Sequence, residues 1–281
     1  MSELLPSGLH IVATPIGNLG DLSPRAAETL RGADRILAED TRVTAKLLNH
    51  IGARVPMSRY DDHSSEKERE RIVEQLGDQA IALVSDAGTP LISDPGYKLV
   101  RAARSAGHAI HTVPGPSAAI AALTLAGLPT DRFLFLGFLP AKPKARADAV
   151  AGVAGVRATL VIYESGPRLA GMLATLHEVL GERDAAVVRE ISKLHEECVT
   201  GTLAELEERY AGTRSTIKGE IVIVIGPPIE VGSASDEDLD RALDEALRRL
   251  SPSRAAAEVA ERLNIPRRRA YARALDRSAQ R

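Results

Sequence analysis

The sequence predicts an α/β protein made of two α/β domains and a small C-terminal helical piece, and three observations predict it. The first half alternates short apolar runs with amphipathic stretches, the pattern of βαβ units on a parallel sheet. Beyond the break Leu128-Pro129-Thr130-Asp131, strands become more frequent. A stretch rich in Gly, Pro and Ser, Gly226 to Ser235, then has the composition of a linker and is followed by an Arg-rich helical end. The expected domains are 1–127, 128–227 and 236–281.

Taken in order, Leu9 to Ala13 reads as the first strand. Ser23 and Pro24 supply an N-cap and a first-turn proline for a helix through Leu30 that Gly32 closes. Arg35 to Ala38 reads as a strand, Thr41 to Ile51 as a helix, and Ser64 to Leu76 as a helix with a charged outer face. Ile81 to Ser85 is a short apolar strand, Tyr97 to Ser105 a helix, Ile110 to Val113 a strand and Ser117 to Ala126 an Ala-rich helix. Past the break, strands are expected at Phe133 to Leu139, Thr159 to Tyr163, Ala185 to Glu190 and Glu220 to Ile225. In the tail, Ser253 to Leu263 and Arg267 to Ala274 read as two helices joined by a short turn, with Ala256, Val259, Ala260 and Leu263 on one apolar face.

A chain of 281 residues with 44% hydrophobic and 26% charged residues can bury a sizeable core and falls in the range of ordinary folded domains. Aromatics are 3% with no Trp, so the core is aliphatic and an extended base-stacking platform is not expected. The single cysteine, Cys198, excludes an internal disulfide and reads as a buried small hydrophobe. His10, His50, His63, His108, His111 and His177 show no metal-ligand spacing, His195 reads equally well as a surface residue, and no metal is expected. The N-terminus has no basic region ahead of its apolar stretch, and no run reaches the length of a membrane span, so a cytoplasmic protein is expected. The net charge of −2 hides an asymmetry: residues 248–281 carry ten Arg against Glu258, Glu261 and Asp276, a net +7, leaving −9 elsewhere. That end suits either a nucleic-acid partner or a solvated helix.

Three loops each follow a strand and precede a helix, where open parallel sheets bind ligands. They are Thr14-Pro15-Ile16-Gly17-Asn18-Leu19-Gly20-Asp21, Asp86 to Gly96, and Val113-Pro114-Gly115-Pro116-Ser117. The second exceeds what a connection requires, and such elaborated loops are usually functional. Neither a GxGxxG fingerprint nor a GxxxxGK[ST] loop is present, which removes the main support for nicotinamide or P-loop nucleotides. A helix N-terminus at the third loop favours a carboxylate, so an amino-acid-bearing ligand is acceptable there.

The motifs TPIGNLGD, LAEDTR (Leu37 to Arg42), SDAGTPLISDPG (Ser85 to Gly96) and PGPSA (Pro114 to Ala118) resemble those of the tetrapyrrole-methylase-like methyltransferases. Within that group, YES (Tyr163 to Ser165) with Arg168, REISKLHEE (Arg189 to Glu197) and KGE (Lys218 to Glu220) are similar to the ribosomal RNA small subunit methyltransferase I family. The resemblance runs from Leu9 to Gly226 and implies two α/β domains of the tetrapyrrole-methylase type with S-adenosylmethionine in the cleft between them. The residues expected to hold it are Pro15, Gly17, Asp86, Gly88, Thr89, Ser117, Ala118 and Tyr163. The implied reaction is methylation of a cytidine ribose 2′-hydroxyl in the decoding region of 16S rRNA, with that rRNA or the small ribosomal subunit as partner and a homodimer as the assembly. One departure stands out: where the family usually has Pro-His before the arginine, this chain has Gly166-Pro167, so no histidine can serve as base there.

A methyl sulfonium is already an activated electrophile, so such a protein has to place the hydroxyl in line and take up its proton. The candidates are Asp40, Arg42, Glu190, Lys193, Lys218 and Glu220, each readable also as a structural ion pair or a solvated face. The tail's Arg267, Arg268, Arg269 and Arg273 are expected to be exposed for phosphate contact in a helix-turn-helix arrangement. Two other classes stay open at this point: methylation of a small tetrapyrrole, and a non-catalytic, ligand-sensing regulator that binds nucleic acid.

Overall fold

The computed structural model describes residues 5–61, 63–212, 219–228, 235–263 and 265–279; Lys218, one of the expected catalytic residues, lies outside them. Residues 1–227 form one compact unit and residues 228–281 a second.

The first unit holds two five-stranded sheets. In the first sheet, β1 (Gly8–Val12) pairs in parallel with β4 (Ala80–Val84) and β5 (Ile110–Val113). On the other side, β4 pairs in parallel with β2 (Arg35–Ala38), which pairs with the edge strand β3 (Met57–Arg59). Every residue of β4 is buried, as an uninterrupted apolar run in a parallel sheet requires. Alternating side chains feed two cores: Val12, Ile36 and Ala82 meet Leu30 and Leu47 on one face, while Leu9, Leu37 and Ile81 meet Ile72 and Leu99 on the other.

The connecting helices are α1 (Pro24–Gly32), α2 (Thr41–His50), α3 (Glu66–Gln75) and α4 (Tyr97–Ser105). Ser23 caps α1 by accepting the Ala26 amide at 3.1 Å, and Ser65 rather than Ser64 caps α3. The chain leaves β1 toward β2 and leaves β4 toward β5, so β1 and β4 flank the point where the winding reverses.

Helix α5 (Ala118–Ala126) follows β5 but packs on the second sheet, its Ala122 and Leu123 against Val161, Val188 and Val224. That sheet runs β6 (Phe133–Phe138), β7 (Thr159–Ser165), β10 (Glu220–Ile225), β8 (Asp184–Arg189) and β9 (Glu197–Thr202), with only β6 and β7 parallel. Its far face is covered by α6 (Pro143–Ala151), α7 (Leu169–Leu180) and α8 (Leu203–Tyr210) over Leu160, Ile162, Val187 and Ile223. Two sheets with their helices and a helical unit are the α/β architecture expected from sequence, and the mixed pairing of the second sheet goes beyond that expectation.

Gly166 and Pro167 form a single 3-10 turn with Arg168 that leads directly into α7. Beneath it the fully buried Glu164 accepts the Ser165 amide at 2.7 Å and pairs with Arg168 Nε at 3.1 Å. Cys198 is half-buried on β9 rather than fully buried, its Sγ 3.4 Å from the Leu125 carbonyl, and burial pushes its thiol pKa up.

Among its described residues the second unit has three helices where the sequence pattern suggested two: α9 (Asp236–Ala246), α10 (Pro252–Arg262) and α11 (Arg267–Ala279). Leu239, Leu243, Ala256, Val259, Ile265 and Ala270 form its core.

Candidate active site

The loops that follow β1, β4 and β5 are joined into one structure. Thr14 and Gly88 exchange backbone hydrogen bonds of 2.8 and 3.0 Å, an isolated antiparallel bridge between two parallel strands at the winding reversal. Gly88 holds φ 82°, and a Cβ there would lie 3.2 Å from Ile16, so glycine is needed for the approach. Thr89 Oγ1 donates to the Pro116 carbonyl at 3.0 Å, and a Cβ on Gly115 would lie 2.9 Å from that of Ala13. The second loop also carries two non-glycine residues with positive φ, Leu91 at 73° and Ser93 at 63°. Such strain persists where surrounding contacts impose it, and it clusters at functional sites.

Above these loops and against the second sheet lies a cavity of about 310 Å³, at the lower end of small-ligand sites. Asp86, Gly88, Thr89, Ser117, Ala118 and Tyr163 line it, as do Glu190, Lys193 and Glu220. Four expected residues do not. Asp40 caps α2 by accepting the Arg42 amide at 2.8 Å and grips the Arg42 guanidinium, which holds its carboxyl pKa down at about 2. Its own backbone amide donates to Asp86 at 2.9 Å, while Arg42 points into solvent, so the pair stands beside the cavity and Glu39 takes its place in the wall. Pro15 and Gly17 likewise flank Ile16, which lines the cavity. Gly17 has another task, because Lys193 crosses it so closely that a Cβ would lie 2.6 Å from the lysine stem.

The sequence reading also missed Asp94, Phe138 and Ile191. In Asp94, burial, with Glu39, Glu220 and Asp86 nearby, pushes the carboxyl pKa up to about 6 against a hydrogen bond from Ser85. Phe138 and Phe135 set their rings edge-on to Tyr163, at centroid distances of 5.5 and 4.8 Å, and the Tyr163 hydroxyl accepts the Ala119 amide at 3.1 Å. The composition hid this cluster because few aromatics are gathered in one place. Among the described residues carboxyls dominate the charge: Glu39, Asp86, Asp94, Glu190 and Glu220 face a single ammonium, Lys193, whose Nζ lies 3.1 Å from Glu190 Oε1. Such a wall suits a cationic ligand.

In the helical unit, charges are matched instead. Arg273 donates to both Asp240 oxygens at 2.6 and 2.7 Å, Arg269 meets Asp236 at 2.9 Å, and Arg277 meets Asp244. The expectation that Arg269 and Arg273 stand open for phosphate is corrected: the acids of α9 already hold them. Counted from residue 228, the tail carries 11 Arg against 10 acids, a net of only +1. Arg248, Arg254, Arg267 and Arg268 are exposed and form no ion pair among the described residues.

Comparison with known proteins fits this architecture. Residues 8–207 match the family described as Tetrapyrrole (Corrin/Porphyrin) Methylases, and residues 233–278 match the RsmI C-terminal HTH domain. A protein of Erythrobacter litoralis named ribosomal RNA small subunit methyltransferase I is 53% identical over 98% of this chain and 97% of its own length. One of the same name from Xylella fastidiosa is 47% identical over 95% and 98%. Among solved structures, a diphthine synthase aligns with TM-score 0.61 at 15% identity, covering 78% of this chain and 89% of its own. A uroporphyrin-III-C-methyltransferase of Thermus thermophilus aligns with TM-score 0.55 at 21%, covering 78% and 93%; both share the fold. The chain belongs to the tetrapyrrole methylases and, within them, to the ribosomal RNA small subunit methyltransferase I family.

Proposed function

We propose that this chain transfers the methyl group of S-adenosylmethionine to the ribose 2′-hydroxyl of a cytidine in the decoding region of 16S rRNA, working in the cytoplasm as a homodimer. The observation that carries this reading is an acid-lined cavity at the joined strand ends, in a chain that matches relatives named for rRNA methylation along its whole length, helical unit included.

The lining fits that cofactor. Its sulfonium and ammonium suit the five carboxyls, the Phe138 and Tyr163 rings can flank an adenine, and the N-terminus of α5, where the Ser117 side chain caps nothing, offers backbone amides to a carboxylate. When bound, the cofactor supplies a methyl group already activated on sulfur.

The protein's own work is then positional and protolytic. Lys193, held by Glu190 and lying over Gly17, places a cation where negative charge develops on the attacking oxygen. The hydroxyl proton goes to a carboxylate of the wall. Asp94 suits that task best, since a carboxylate with pKa near 6 is a stronger base than an ordinary one. Exposed Arg248, Arg254, Arg267 and Arg268 serve as phosphate contacts. Ile120 and Leu125 remain exposed on α5, a helix apolar on its outer face as well as its inner one, and a second copy would cover them.

Labelled S-adenosylmethionine supplied with naked 16S rRNA, assembled small subunits or a porphyrinogen tests the reading. Label in rRNA at an alkali-resistant cytidine linkage supports it. Label in the porphyrinogen alone makes the chain a small-molecule methylase, and label in none makes it a ligand-sensing regulator.

A further inference from the structure

The segment from Glu190 to Glu196 contributes Glu190, Ile191 and Lys193 to the cavity, and its next residue points the other way. Leu194 is 92% exposed, against 65% for Tyr97, the next most exposed large apolar side chain. Single exposed leucines are common on proteins, but this one is held in place. Glu190 and Ser192 adopt positive φ, 52° and 65°, at a cost no glycine relieves. The Lys193 amide donates to the Glu190 carbonyl at 3.0 Å, the Glu196 amide to Lys193 at 3.2 Å, and the Ser192 amide to Glu196 Oε2 at 2.7 Å. Ser192 Oγ bonds Asp21 of the first loop, and the Lys193 stem lies on Gly17. A strained, pinned turn thus presents one apolar side chain to water, one residue from Lys193, the cavity's only ammonium among the described residues.

The substrate class makes that placement useful. A cavity of about 310 Å³ that takes a cofactor leaves the acceptor nucleotide to be presented at its rim. Turning a nucleotide out of the stack frees its ribose from its neighbours and carries it to such a rim, and proteins that open stacks insert apolar wedges, leucine among them. Building on the rRNA reading above, we infer that Leu194 is a wedge that enters the base stack beside the target nucleotide and holds its ribose at the cavity rim. Lys193 and the cavity then meet the 2′-hydroxyl on one side of the turn while Leu194 fills the gap on the other.

Single-turnover methylation of assembled small subunits by Leu194→Met, Leu194→Ser and Leu194→Asp, with S-adenosylmethionine affinity and oligomeric state measured alongside, tests this. Unstacking costs a few kcal/mol, so the serine variant should lose on the order of 10- to 100-fold in rate, the aspartate variant more, and the methionine variant little, with cofactor affinity unchanged in all three. Wild-type rates in the serine and aspartate variants overturn the wedge. An equal loss in all three also overturns it, as does a loss accompanied by a change in oligomeric state, which would assign Leu194 to contact with a second copy. A wild-type protein that labels no RNA overturns the rRNA reading itself, and the wedge with it.

Discussion

Charge is arranged in opposite ways at the cavity and in the three-helix unit. Around the cavity, five carboxyls crowd one ammonium among the described residues, and burial drives Asp94 toward its neutral form. Along α9 and α11, each of Asp236, Asp240 and Asp244 is answered by Arg269, Arg273 and Arg277 at the same spacing of four. Imbalance held by burial marks a surface that awaits a ligand, whereas balance in the open holds one helix to another. The basic character of the tail is therefore narrower than its composition suggests, and the arginines open to a phosphate are those that α9 leaves unpaired.

Substitutions in the two regions should behave differently in kind. The largest effect is expected from Gly88→Val, which forces a β-branched residue into φ 82° against Ile16. Strain of about 2–3 kcal/mol should weaken S-adenosylmethionine binding on the order of 100-fold by calorimetry. An unchanged affinity would show that the bridge does not shape the cavity.

Next comes Asp94→Asn, which should weaken binding of the cationic cofactor about 10-fold at pH 8 by removing a nearby charge. Because the folded pKa of Asp94, about 6, lies above its ordinary 3.8, its contribution to stability is complete below 3.8 and is lost as pH rises through 6. Acidification from pH 8 to 5 should accordingly raise the wild-type melting temperature relative to the Asp94→Asn variant while weakening wild-type cofactor binding. Parallel pH profiles for the two proteins would remove Asp94 from the account.

The double variant Arg267→Ala/Arg268→Ala should reduce the slope of log rRNA affinity against log salt by about 1–2, each arginine releasing about one counterion. Arg269→Ala/Arg273→Ala should change it less, since those side chains must first leave their acids. Equal slopes for the two doubles would break the distinction between paired and open arginines. The smallest effect belongs to Asp240→Asn, which should lower the stability of the helical unit by about 0.5–1 kcal/mol and lose that effect in molar salt, leaving cofactor binding intact.

Much of the first sheet was legible from sequence because its strands are apolar runs bounded by Gly, Pro and capping residues: the strands Arg35–Ala38 and Ile110–Val113, and the helix Tyr97–Ser105 between strands, fall where the pattern places them. The edge strands β3 and β9 were not. Met57–Arg59 is three residues long and Glu197–Thr202 reads as polar, since its only fully buried residue is Val199. At the site, the motif loops pointed to the right strand ends but could not say which side chains turn inward. Neighbours in sequence face opposite ways, so Glu39 enters the wall while Asp40 turns to cap α2, and Ile16 enters between Pro15 and Gly17. The positive φ values of Leu91 and Ser93 left no trace in composition, because tertiary contacts impose them. The pairing of α9 with α11 was written in the fourfold spacing of both helices, but only reading them together brings it out.

The bridge between Thr14 and Gly88 also bears on how this protein can vary. It ties residues 74 apart in sequence, and its neighbours Ala13 with Gly115 and Thr89 with Pro116 extend the tie to a third loop. A side chain at position 115 has no room unless Ala13 gives way, and a side chain at 88 demands a smaller one at 16. Substitutions in these three loops should therefore show strong epistasis, tolerated in matched sets and damaging alone, while the arginines and acids of the helical unit tolerate change one pair at a time.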